Sequence, residues 1–225
     1  MDRLNAKTLA SLVILLLAMG AVIFGVAGSL AYWQAWLFLL IYFFLSLCVS
    51  IDLMRRDRAL LERRMRGGPF AEKEPVQRLI MTIISLWFIG LLSVPALDHR
   101  FDWSHMSVPA VLGGDVLVVA GFVGIWRVFR ENTFSAATVD VVHDQIVIST
   151  GPYAIVRHPM YAAALVLLTG VPIALGSWWG LAMTIVILPI LMWRLLHEEA
   201  VLAERLSGYA AYQGSVRWRL VPLVW

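Results

Sequence analysis

The chain has 225 residues, 60% of them hydrophobic and 15% charged, with a mean hydropathy of +0.79. Soluble domains carry about 25% charged residues, so this composition excludes one soluble core and indicates several bilayer crossings. The net charge of +3 does not point to nucleic acid, because the basic residues flank apolar runs, where membrane topology accounts for them.

The first apolar run, Leu9 to Leu30, follows Arg3 and Lys7 and has no small-residue cleavage site. It is expected to be an uncleaved first span. Tyr32, Trp33 and Trp36 then suggest an aromatic belt. A second span is expected over Ala35 to Ile51, forming a tight hairpin with the first. Cys48 lies inside it; a single cysteine allows no internal disulfide and no cysteine-based zinc site. The most charged segment, Asp52 to Arg78, contains RRDRALLERRMR, which reads as an amphipathic surface helix ended by Gly67, Gly68 and Pro69. A third span is expected over Leu79 to Leu97 and a fourth over Val108 to Phe129. Gly113, Gly114, Gly121 and Gly124 in the fourth suit close helix packing. Asp115, an acid inside a span, is a candidate functional group by type, near the outer end.

Residues 130–158 do not form a span. Val139 to Val142 and Ile146 to Ile148, separated by His143, Asp144 and Gln145, read as a small hairpin or an extended cap on the membrane surface. The fifth span starts at Pro159, a favourable first-turn position, and ends near Gly176. Trp178 and Trp179 mark the far interface, and a sixth span runs from Leu181 to Leu196 with a kink expected at Pro189. The last two are near the lower length limit for crossing about 30 Å of hydrocarbon. The expected fold is therefore all-α, an integral membrane protein of about six transmembrane helices. It forms one membrane domain, with anchoring helices in 1–125 and the polar motif clusters in 126–225. With a cytoplasmic N-terminus, only Arg100 of the 18 Lys and Arg residues lies outside; the opposite orientation would export the other seventeen. Both termini are thus expected in the cytoplasm.

Two polar clusters flank the last hairpin: GPYAIVRHPMY at 151–161 and RLLHEE at 194–199. Two passes bring them to the same, cytoplasmic side. Arg157 and His158 precede a helix N-terminus, where backbone N–H groups and the dipole favour an anion. The alternative is a headgroup anchor at Arg157 and a helix cap at His158. Tyr161 is at i+3 from His158 and shares its face. Glu198 and Glu199 point about 100° apart; one is free to take ribose hydroxyls or an ammonium while the other pairs with Arg194, at i−4 from Glu198. Acids at a helix C-terminus oppose the dipole, which argues for function. The spacing of His143, His158 and His197 does not support a metal site.

The ordered set of GPYAIVRHPMY, the EE pair, YAAYQGSV at 209–216 with Arg219 and Pro222 beyond, and Asn132 to Ser135 upstream resembles the isoprenylcysteine carboxyl methyltransferase family. That family is taken in the broad sense that includes bacterial relatives and phospholipid methyltransferases. The resemblance covers about residues 126–225. It implies transfer of a methyl group from S-adenosylmethionine to a membrane-embedded acceptor. It assigns cofactor positions to His158, Tyr161, Glu198 and Glu199, with Tyr153, His143 and Gln145 on the same side and Arg157 close by. Arg157, Arg194 and Glu198 become the candidates for catalysis. A cation such as Arg194 or Arg157 would hold an acceptor carboxylate, and an amine acceptor would instead use Glu198 or Glu199 as base. The implied partners are the lipid bilayer and a lipophilic or prenylated acceptor, and the implied location is a bacterial inner membrane. Two positions depart from the pattern: Ala163 where many members have Gly, and Arg217-Trp218 where carboxyl methyltransferases often have Pro. Two other readings stand beside this one. Membrane sterol reductases that use NADPH share an RHPxY-like run and paired acids, and a non-catalytic membrane protein would retain the motif without binding either cofactor.

Overall fold

Long apolar runs satisfy their backbone groups internally only as helices in a bilayer, and this chain follows that rule. The computed structural model describes residues 2–72, 74–138 and 144–225. It is 76% helix, and no described residue lies in a strand. The helices are α1 (Arg3–Ala27), α2 (Trp33–Arg56), α3 (Arg58–Met65), α4 (Pro75–Phe101), α5 (Val108–Glu131), α6 (Pro159–Ala174), α7 (Trp178–Arg205) and α8 (Tyr209–Ser215).

Five of them, α1, α2, α4, α5 and α7, are long and apolar enough to cross a membrane, and α6 is a shorter apolar helix. This matches the expected all-α membrane architecture. The sixth expected span is longer than its apolar run suggested, because α7 continues past Leu196 to Arg205. Large apolar side chains such as Ile14, Leu17, Leu40, Phe44, Val116 and Ile185 are exposed on the helix surfaces. On a bilayer-spanning bundle that surface is the lipid-facing one.

The core runs through the middle of the bundle, with Ile23, Phe38, Leu91, Val118, Val171 and Ile187 buried together. Its tightest seam joins α5 to α6. A Cβ on Gly114 would come within 2.2 Å of the Ala174 backbone nitrogen, and one on Gly121 within 2.7 Å of the Leu167 backbone. Glycine is required there by close approach. At the site end, a Cβ on Gly124 would lie 2.7 Å from the Ala163 Cβ. The methyl at 163 therefore fills the space that Gly124 leaves open, and the departure at 163 is compensated across the seam. Gly113 faces open space and takes no part in this packing.

One end of the bundle carries a belt of tryptophans. Trp33, Trp36, Trp103, Trp178 and Trp179 are exposed there, as belt residues should be. Tyr32 differs from the expected belt position. It is fully buried, stacks on His99 at 3.9 Å between centroids, and donates its hydroxyl to Leu175 O at 2.5 Å. Asp98 completes this knot by accepting from Ser177 Oγ (2.5 Å) and Ser104 Oγ (2.6 Å). Together they fasten the turn between α6 and α7, so the two helices return to the opposite end in fixed register.

At that opposite end, α3 is capped by the Asp57 carboxylate, which accepts from Leu60 N at 2.9 Å. It buries Leu60 and Leu61 against Leu53 of α2 and Phe129 of α5. The basic segment is thus not only a surface helix: one face is packed onto the bundle.

Candidate functional site

The motif at 151–161 begins with Gly151 in the left-handed region (φ 56°), which lets the chain turn tightly against Glu131. A 3₁₀ turn over Gly151–Ala154 follows, and α6 starts at Pro159. The C-terminal tail pairs with the motif backbone: Arg157 N donates to Trp218 O and His158 N to Arg219 O, both at 2.9 Å. Arg217-Trp218 therefore sits where the tail braces the motif.

The two adjacent acids of α7 point to different surroundings. Glu199 is buried in an ion cluster: its Oε1 accepts from Arg157 Nε at 2.7 Å and lies 3.1 Å from His158 Nε2, and its Oε2 accepts from Arg219 Nε at 2.9 Å. Because a carboxylate only accepts, His158 must carry its proton on Nε2. Arg157 also donates to the carbonyls of Gln213 and Val216. Arg157 is thus a buried brace between the motif, α7 and the tail, not a headgroup anchor, and His158 makes no side-chain cap on α6. Glu198 instead lines a cavity and accepts from Tyr161 Oη at 2.6 Å. Tyr161 in turn meets the His158 ring edge-on at 5.7 Å.

Arg194 was expected to pair with Glu198 one turn on. The structure gives it other partners: Glu72 Oε1 at 2.9 Å, Gln77 Oε1 at 2.7 Å and Ala137 O at 3.2 Å. Glu198 remains within its electrostatic reach. Gln77 is also 2.9 Å from His197 Nδ1. Residues of the N-terminal half, in which the sequence shows no motif, therefore build one wall of the site.

The cavity has a volume of about 430 Å³, within the range of small-molecule sites. One end is polar, lined by Asn132, Gln145, Tyr153, His158, Glu198 and Tyr209; the other is apolar, lined by Met81, Ile84, Ile125, Leu168 and Leu191. Leu191 is seven residues before Glu198 on α7, which places the apolar end about 10 Å deeper along the helix axis. In the described part of the cap, Gln145 to Ile148 line the cavity wall and belong to no helix or strand. His143 and Val139 to Val142 lie outside the described residues.

The tail closes the polar end. Leu206, Tyr209, Tyr212 and Val216 pack on Val147 and Tyr153. Tyr212 donates to Tyr153 O at 2.8 Å, and Asn132 Nδ2 donates to the Tyr153 hydroxyl at 2.8 Å. Burial pushes the Tyr153 phenol up to about 12, so it stays protonated at neutral pH. The Tyr209 hydroxyl, on the wall of this cavity, is buried without a hydrogen-bond partner among the described residues. An orphaned buried hydroxyl costs about 1–3 kcal/mol, so this one is open to a further partner. Tyr209 lies within the YAAYQGSV run, but nothing in the sequence separates its role from that of Tyr212. Among the described residues no cluster of His, Cys, Asp and Glu is arranged to hold a metal ion.

Residues 109–208 match the family model of phospholipid methyltransferase. This is the broad family that the motif resemblance indicated, and the match runs from the start of α5 through α6 and α7. The matched segment is thus similar to phospholipid methyltransferases. Among curated proteins, none matches the chain.

Proposed function

We propose that this membrane methyltransferase uses S-adenosylmethionine and methylates a carboxylate on a lipidic or isoprenoid acceptor. The observation that carries the reading is one cavity with a polar, aromatic end and an apolar end about 10 Å further along the α7 axis. A methyltransferase acting on a membrane-embedded acceptor needs both halves in one space.

The donor set suits a zwitterionic nucleoside. Glu198 offers a carboxylate to ribose hydroxyls or an ammonium group, the unpartnered Tyr209 hydroxyl offers a donor, and Tyr153 offers a protonated phenol. Gln145, Tyr161 and His158 line the same end. Glu199 acts one layer out, holding Arg157 and His158 in place. When bound, S-adenosylmethionine supplies a methyl on a sulfonium: a C–O bond forms to the acceptor oxygen as the C–S bond breaks, leaving a neutral thioether and a methyl ester. No proton has to move, because a carboxylate is already ionised at pH 7. The residues therefore contribute alignment and exclusion of water, and Arg157 and Arg194 contribute positive field near the acceptor. The positive-inside rule supports a cytoplasmic position for this end and both termini, in a bacterial inner membrane by the family resemblance.

The test is methyl transfer from tritiated S-adenosylmethionine in vesicles containing the full chain, bacterial lipid and a prenylated cysteine. Organic-extractable label that mild base releases as methanol is the expected product. Base-stable label would mean an amine acceptor, and no label with any lipid would overturn the reading.

A further inference from the structure

Two ionic side chains on the cavity wall, of opposite sign, have no ion-pair partner within bonding distance among the described residues. Arg157 is paired with Glu199 and Arg194 with Glu72. Glu198 faces the cavity, and among the described residues its hydrogen bond comes from the neutral Tyr161 hydroxyl, with Arg194 in electrostatic reach but bonded to Glu72. Arg64 lines the cavity as well, yet among the described residues no carboxylate lies within ion-pair distance of it.

Arg64 is held in position by its surroundings. It follows Leu60 by four residues and Leu61 by three, so it shares the inward face of α3. Its guanidinium lies over the Phe129 ring at 5.0 Å, and Nη1 donates to Ala136 O at 3.0 Å. That uses one of five N–H donors. Burial lowers its pKa, and the Arg194 charge lowers it further. A guanidinium does not give up its proton in a protein, so the spare donors of Arg64, facing the cavity, favour an anion there. The adjoining wall is apolar: Ile125 and Met160, which line the cavity, pack against the same Phe129 cluster.

We propose that Arg64 is the specificity-determining residue that binds the carboxylate of an amphiphilic acceptor, whose chain lies along Ile125 and the deeper apolar wall. This rests on the methyltransferase reading and adds to it. The cationic cofactor lies against Glu198 and the anionic acceptor against Arg64, so the two unpaired ions sort the two ligands. The basic segment between α2 and α4 thereby contributes a binding residue rather than only a topological signal. An Arg presents a planar fork that a carboxylate meets with two hydrogen bonds, which a Lys does not reproduce.

The test uses two probes with one acyl chain, N-oleoylglycine and its methyl ester, titrated into the full chain in nonionic detergent with S-adenosylhomocysteine present. Wild type should prefer the acid by at least about tenfold. R64Q should lose that preference while binding the ester as wild type does, and R64K should retain part of it. Equal weakening of both probes in R64Q and R64K would mean that Arg64 only braces Ala136 and Phe129, and would overturn the proposal. So would an unchanged preference, or wild type binding neither probe. Titration of S-adenosylhomocysteine alone separates the two claims. A preference for the acid without that binding leaves Arg64 standing and removes the cofactor, and binding without the preference removes Arg64.

Discussion

Glu198 and Glu199 are neighbours in sequence, and the structure predicts opposite phenotypes for their loss. Glu199→Gln removes the charge that Arg157, His158 and Arg219 share. The side chains of Arg157 and Glu199 are 7% and 6% exposed, so the guanidinium would stay buried without a counter-charge. Breaking a buried pair from one side costs about 3–5 kcal/mol. Arg219 is 32% exposed and adds no more than about 1 kcal/mol. In a chain of this size each kcal/mol moves Tm by roughly 2–4 °C, so Tm should fall by about 6–20 °C. Glu198→Gln keeps an acceptor for Tyr161 and should cost about 1 kcal/mol or less. It should, however, weaken S-adenosylhomocysteine binding about 10- to 100-fold, the equivalent of losing a charge-assisted hydrogen bond. The assay is thermal unfolding in detergent beside calorimetric binding. A Glu199→Gln protein as stable as wild type, or a Glu198→Gln protein that loses stability and keeps its affinity, would refute the division of roles.

Other perturbations follow from the same geometry. Gly121→Ala drives a methyl into the Leu167 backbone and should cost at least about 1–3 kcal/mol, whereas Gly113→Ala meets nothing within 4 Å and should leave Tm unchanged or slightly raised. Thermal scans of the two variants check this. Tyr209→Phe removes a hydroxyl with no partner among the described residues; it should leave Tm intact and weaken S-adenosylhomocysteine binding by roughly 2- to 10-fold. The Tyr153 phenol is raised from about 10 to about 12, so the folded state keeps a proton that the unfolded chain releases. Its stabilising effect is full below pH 10 and is lost as pH rises towards 12; Tyr153→Phe should flatten the alkaline fall in Tm over that window.

The helices were legible in the sequence because bilayer crossing demands long apolar runs, and the ends of those runs are marked by Trp and Arg. What the runs could not give is how far a helix continues into water. The extension of α7 to Arg205 depends on packing against the cap and tail, not on lipid. The cavity end of the site was legible where the motif carries it: Tyr153, His158, Tyr161 and Glu198 line one space with Gln145. The partners were not. Arg194 meets Glu72 across 122 residues, and no local pattern announces a pair that distant. Arg64 is hidden for a different reason: it is one of several arginines in the charged segment, and only the inward turn of α3, fixed by Leu60 and Leu61, singles it out. The close seam of α5 was readable from its glycines, but the match between Gly124 and Ala163 needed the two helices side by side.

The central claim is that the polar half of the cavity binds S-adenosylmethionine. Calorimetric titration of S-adenosylhomocysteine into the purified full chain, with NADPH as the control ligand, tests it most directly. Saturable binding of S-adenosylhomocysteine with no heat from NADPH is the predicted result. Binding of NADPH alone would make the site that of a reductase, and binding of neither by folded protein would contradict the account.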